Sequence, residues 1–152
     1  MIIIPNLFNE TQIKGLTTEL QCIEKFIQYG FIVSIPYGNN SRYDLLLDGG
    51  NGHYIRIQCK TAHLEENGSY TIKTANSVAT INKNIIKHYN NKQIDFIVSI
   101  IDNQLVVIPV DLISNTNSKI FRKELPQYGA KSNCNLIKDF TVEKYILPML
   151  TE

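Results

Sequence analysis

The chain is predicted to fold as an α/β (α+β) domain: a helix, then a mixed central β-sheet, then flanking helices. Three observations carry this. An apolar pattern at helical spacing lies near the N-terminus, a glycine-rich turn is bracketed by two strand-like runs, and a later pair of runs is almost continuously apolar. The 152 residues amount to one domain over 1–152, with 119–152 as its peripheral C-terminal segment.

Each element follows from local pattern. Thr11 to Tyr29 reads as the first helix, with Leu16, Leu20, Ile23, Phe26 and Ile27 at helical spacing and Gly30 as its stop. Phe31 to Ile35 is a short β-branched run, and Pro36 to Ser41 a turn region. Tyr43 to Asp48 and Tyr54 to Lys60 are strands joined by Gly49-Gly50-Asn51-Gly52. In the second of these, Ile55, Ile57 and Cys59 share one face, and Arg56, Gln58 and Lys60 the other. Ser69 to Thr74 is a further strand, and Val78 to Tyr89 reads as a loop followed by a helix. Asp95 to Ile101 and Gln104 to Val110 form a second hairpin around Asp102-Asn103, apolar enough to be buried on both faces. Lys119 to Glu152 reads as loops and one short helix ending near Pro148.

Composition narrows the function classes. With 43% hydrophobic and 19% charged residues the chain is globular. Cys22, Cys59 and Cys134 form no paired motif, which predicts reduced thiols in a cytoplasmic protein and no zinc site. The apolar start, Met1 to Asn6, lacks a basic flank and is broken by Pro5, so it is not expected to be a signal peptide, and no run is long enough to span a bilayer. A net charge of only +1 argues mildly against a nucleic-acid partner unless the charge is polarised.

One group of residues carries chemistry. Gln58 and Lys60 are two apart on a strand and emerge from the same face. Folding the hairpin about Gly50-Asn51 sets Asp44 opposite residue 57 or 58, within cross-strand reach of Gln58. Glu19 lies between Ile23 and Phe26 on the helix, where a carboxylate is costly unless paired or bound to a cation; a salt bridge or an edge position is the alternative. Phosphodiester hydrolysis needs negative charge stabilised and a hydroxide supplied, and a divalent ion does both. Magnesium is the expected cofactor, with manganese able to substitute. Asp44, the Gln58 amide carbonyl and the Cys59 backbone carbonyl are its candidate ligands, with Glu19 in the outer shell. Lys60 would hold the attacking water or a phosphate oxygen. The bland alternative is a hairpin with ordinary surface charges.

These residues also carry a resemblance. Lys14-Gly15 with Glu19, Ser41-Arg42-Tyr43-Asp44 and Gln58-Cys59-Lys60-Thr61-Ala62 resemble the PD-(D/E)XK nuclease superfamily, and within it the group I intron-associated homing endonucleases. Ile94 to Val98 and Val106 to Val110 resemble the family's later strand pair, so the likeness covers roughly residues 11 to 113. It implies a restriction-endonuclease-like core, metal-dependent cleavage of double-stranded DNA, catalytic roles for Glu19, Asp44, Gln58 and Lys60, and a homo-oligomer (a dimer or a dimer-of-dimers tetramer). Gln58 departs from the usual acid, as in the Gln-x-Lys branch, and removes one negative charge from the metal site. Alternatives are a Holliday junction resolvase, a restriction or repair nuclease, or an inactive DNA-binding module.

Contacts to DNA are expected where acid is absent. From Glu66 to Asp95 there is none between, while Lys73, Lys83, Lys87 and Lys92 stand among Asn76, Asn82, Asn84, Asn90 and Asn91. A solvated helix face is the plain alternative. Arg42 and Arg56 flank the proposed site, and Lys119, Arg122, Lys123 and Lys131 form a second basic group.

Overall fold

A computed structural model describes residues 7–129 and 134–151. The apolar hexapeptide at the start and Lys131 lie outside the described residues.

Helix α1 spans Glu10–Gln28. Asn9 begins it with a capping box: its Oδ1 accepts from the Gln12 amide at 2.8 Å, and its own amide donates to Gln12 Oε1 at 3.0 Å. Such a cap contributes about 1 kcal/mol. The helix buries Thr18, Cys22 and Phe26. That is a narrower face than the apolar pattern predicts, because Leu16, Leu20 and Ile27 point to solvent.

Strands β1 (Ile32–Ser34), β2 (Leu45–Asp48) and β3 (Tyr54–Cys59) follow. Then come β4 (Ala62–Leu64), β5 (Tyr70–Lys73), β6 (Ala75–Ala79), β7 (Asn84–His88), β8 (Phe96–Ile101) and β9 (Gln104–Pro109). The tail holds β10 (Ser118–Arg122), β11 (Asn135–Leu136) and the one-turn helix α2 (Val142–Tyr145). The central sheet has the order β1-β2-β3-β8-β9, mixed because β3 and β8 run parallel while the other neighbours are antiparallel. A second sheet has the order β11-β10-β5-β4, and β6 and β7 pair only with each other.

Alternation along β8 and β9 builds two cores at once. Phe96, Val98, Leu105 and Val107 join Cys22, Phe26, Ile55 and Ile57 on the α1 side. Ile97, Ile101, Val106 and Ile108 join Ile72 and Phe121 on the other side. This is the two-faced burial their apolar sequence predicts. Asp102 and Asn103 turn the β8–β9 hairpin with φ of 50° and 60°, the left-handed pair a type I′ turn requires.

Two expectations need correcting. Val78 to Tyr89 contains no helix; it is the outer part of the β6–β7 hairpin, with Ser77↔Ile86 and Val78↔Ile85 in register. The tail is more than loops and a helix, since β10 extends the second sheet and Val142 and Ile146 are buried in the α1-side core. Residues Leu147–Leu150 form a 3₁₀ turn that returns to the β2–β3 turn. The Met149 carbonyl accepts from Asn51 Nδ2 at 3.2 Å, and Leu150 lies so close to Gly49 that any Cβ there would displace it.

Candidate active site

The β2–β3 register is Leu45↔Ile57, which sets Asp44 against Gln58 as the turn geometry predicts. The Asp44 amide donates to the Ile57 carbonyl at 2.7 Å. Asp44 Oδ2 accepts from Gln58 Nε2 and from the Cys59 backbone amide, both at 2.8 Å. Gln58 Nε2 also lies 3.3 Å from the Cys59 carbonyl. The amide nitrogen therefore stands between two oxygens that were expected to face a cation.

The electrostatics of the site follow from burial. Desolvation raises the Asp44 carboxyl above the ordinary carboxylate range, opposed by the Cys59 amide and by Lys60. Glu19 is raised too, by burial first and by the Asp44 charge second, so the two carboxylates sense each other. Burial lowers the Lys60 ammonium; Asp44 opposes this, while Arg42 and Lys73 add to it. These four residues are the ones the sequence singles out, and the fold brings them to one place.

Two residues in contact with this group carry no sequence signal. Lys60 Nζ donates to Asn76 Oδ1 and sits 5.4 Å from the centre of the Tyr89 ring. The Arg42 guanidinium stacks over the same ring at 4.2 Å and donates to the His88 carbonyl at 3.3 Å. Tyr89 is 1% exposed and fixes both cations by cation–π attraction. Asn76 lies in β6 and Tyr89 at the exit of the β6–β7 hairpin, the latter at the end of the stretch expected to be a loop and a helix. Beyond Lys60, Thr61 Oγ1 meets Thr18 Oγ1 at 3.1 Å and ties the strand end to α1.

Other predicted residues separate into two groups. Lys60 and Lys73 line a cleft of about 1260 Å³ with Lys14, Thr61, His63, Asn76, Ser77 and Asn117. Lys83 and Lys87 are exposed on the β6–β7 hairpin outside it. Arg56, by contrast, is engaged inside the protein. Its guanidinium holds Asp95 with two bonds, at 3.0 and 3.2 Å, and donates to the Asn91 and Lys92 carbonyls. It fixes the loop before β8 and leaves no free fork for DNA, a correction to its expected role; Lys92 is exposed on the loop it holds. In the second basic group, Lys123 pairs with Asp102 and Arg122 donates to the Asn67 carbonyl.

A metal ion here would depend on neutral oxygens. Among the described residues no three His, Cys, Asp or Glu side chains gather as a metal-holding group. The donor set does suit a hard cation: the Asp44 carboxylate, the Cys59 carbonyl and the Gln58 amide, once its end is turned to present oxygen, with Glu19 nearby.

Comparison with known proteins identifies the family and the fold. Residues 9–143 match the PD-(D/E)XK endonuclease family, whose members generally use divalent metals. No curated protein matches the chain in sequence. Among solved structures, the bacterial homing endonuclease I-Ssp6803I aligns with a TM-score of 0.69 at 22% identity, over 81% of this chain and 86% of that one. Their shared architecture is restriction-endonuclease-like. With the family matched over nearly its whole length, the chain belongs to the PD-(D/E)XK endonucleases and is a DNA endonuclease.

Proposed function

We propose that the chain is a magnesium-dependent endonuclease that cuts both strands of DNA at a defined site, of the homing type. The observation that carries this is the convergence of Asp44, Gln58, the Cys59 backbone and Lys60 beside a lysine-lined cleft. The fold shared with a bacterial homing endonuclease supports the finer reading.

Asp44, the Gln58 carbonyl and the Cys59 carbonyl would hold magnesium, with Glu19 orienting water from the outer shell; manganese would substitute. The bound ion supplies a Lewis acid and lowers the pKa of water. Lys60, held by Asn76, aims its ammonium at the attacking water or a non-bridging phosphate oxygen. Arg42 and Lys73 add positive charge beside it.

The β6–β7 hairpin contacts the duplex. Five paired residues reach about 17 Å, and a two-stranded ribbon fits the roughly 12 Å major groove. Lys83 and Lys87 meet phosphates there, joined by Lys73 and Lys92; Asn82 and Asn84 can meet base edges. Cutting two strands requires two such sites, hence a homo-oligomer, either a dimer or a dimer-of-dimers tetramer.

A second reading, DNA binding without cleavage, is favoured by one observation: Gln58 is neutral where the family's motif carries an acid, so beside Asp44 it adds no second negative charge to hold a cation. A single assay separates the two. A library of double-stranded DNA of randomised sequence is incubated with magnesium, with manganese and with chelator. Metal-dependent double-strand breaks support the nuclease; tight binding with no breaks under any condition supports the second reading.

A further inference from the structure

Helix α1 carries two apolar faces, and the fold covers one. Thr18, Cys22 and Phe26 pack inward. Ile13, Leu16, Leu20, Ile23 and Ile27 form another stripe, with gaps of three, four, three and four residues, and Ile23 at its edge also packs against the α1-side core. That is the spacing of a heptad seam. At 3.6 residues per turn, Leu20 points about 160° away from Cys22. The stripe is open accordingly: Leu16 is 48% exposed, Leu20 65% and Ile27 56%. Leu7 and Phe8, leading into the helix, are 67% and 55% exposed. A helix apolar on both sides is ordinarily buried on both sides.

We infer that this stripe is where two copies of the chain meet, α1 against α1 across a two-fold axis. The seam spacing is self-complementary, because a helix with knobs at these intervals presents matching holes to its own copy. One flank carries Thr17, Gln21 and Gln28 with Glu10 and Glu24, and the other Gln12 with Glu19. The area fits as well. Leu16, Leu20 and Ile27, about half to two-thirds open, with the half-buried Ile13 and Ile23 and with Leu7 and Phe8 at the helix entry, offer on the order of 350 Å² of apolar surface. A standard interface buries about 800 Å² per partner, of which a little over half is apolar. The stripe supplies most of that share. The inference deepens the oligomer required above by naming its surface, and it can be tested without DNA or metal.

The test is sedimentation velocity of the full chain in chelator, at tens of micromolar. Wild type is expected to sediment as a dimer or a multiple of one. Leu20→Glu is expected to weaken that association at least tenfold, with its circular dichroism unchanged. The control Leu125→Glu, at an exposed residue outside the stripe, keeps the wild-type state. Should Leu20→Glu fail to fold, Leu20→Cys replaces it: mild oxidation is expected to give a covalent dimer, which Leu125→Cys does not. A monomeric wild type overturns the inference, because the stripe is then covered by something else, such as the chain's own first residues or a different protein. So does a dimer that Leu20→Glu leaves intact, or that Leu20→Cys fails to cross-link. A dimer built on this seam that never cleaves DNA would sink the nuclease reading and leave this one standing.

Discussion

The β2–β3 and β6–β7 hairpins are both antiparallel ribbons, yet they meet opposite environments. β2–β3 lies inside the central sheet, with Ile55 and Ile57 fully packed beneath it. β6–β7 pairs with no third strand, and from Ser77 to His88 every residue is exposed. The first holds Asp44 against Gln58 to within a hydrogen bond. The second presents lysines and amides that no neighbour restrains. Chemistry at a phosphorus atom needs fixed geometry, whereas reading a duplex tolerates adjustment. The molecule gives each task to the hairpin with the matching support, and joins them where Lys60 meets Asn76.

Breaking the rigid hairpin should have the largest effect. Lys60→Ala or Asp44→Ala is expected to lower the single-turnover cleavage rate by about 10²–10⁴-fold while DNA affinity changes little. Full cleavage by either variant would remove that residue from the site. Next comes packing. Ile57→Ala should cost about 2–5 kcal/mol in denaturant unfolding, against under about 1 kcal/mol for Ile86→Ala on the open hairpin. Equal losses would contradict the contrast between the two ribbons. Third, Lys83→Ala with Lys87→Ala should shallow the slope of log affinity against log salt by about 2. An unchanged slope would take the β6–β7 hairpin off the DNA.

The smallest effect concerns charge in the metal-free protein. Burial raises the Asp44 pKa in the folded state, so its favourable contribution exists below the unfolded value and is lost as pH rises through the folded one. Near neutral pH the ionised carboxylate therefore destabilises the fold. Asp44→Asn, measured in chelator, should raise neutral-pH stability by about 1 kcal/mol or less and flatten its fall between acid and neutral pH. A loss of stability at neutral pH would show that the Lys60 attraction outweighs desolvation.

The β2–β3 hairpin is legible in the sequence because two local signals agree: a glycine-rich turn fixes the register, and strict alternation fixes the faces. Asp44, Gln58 and Lys60 come with it. The β6–β7 hairpin is not legible, since neither strand has a core to alternate against. Val78, Ile81 and Ile85 fall at intervals of three and four, and so imitate a helix. Asn76 and Tyr89 were lost with it, for their role depends on a tertiary contact with Lys60. Arg56 failed for another reason. Its sequence neighbours place it beside the site, but Asp95, brought alongside by the parallel β3–β8 pairing, claims its guanidinium. On α1 a single apolar pattern merged two faces that the fold separates.

The seating of Leu150 on Gly49 has a consequence for how the site can be perturbed. The turn that sets Asp44 against Gln58 is covered by a residue about a hundred positions further along the chain. Leu147–Leu150 covers the hairpin turn, and Ile146 just before it is buried in the α1-side core, so one short segment serves both. The catalytic turn thus leans on a segment far from it in sequence, so a change at Leu150 is expected to loosen the hairpin that holds Asp44 without touching any residue of the site.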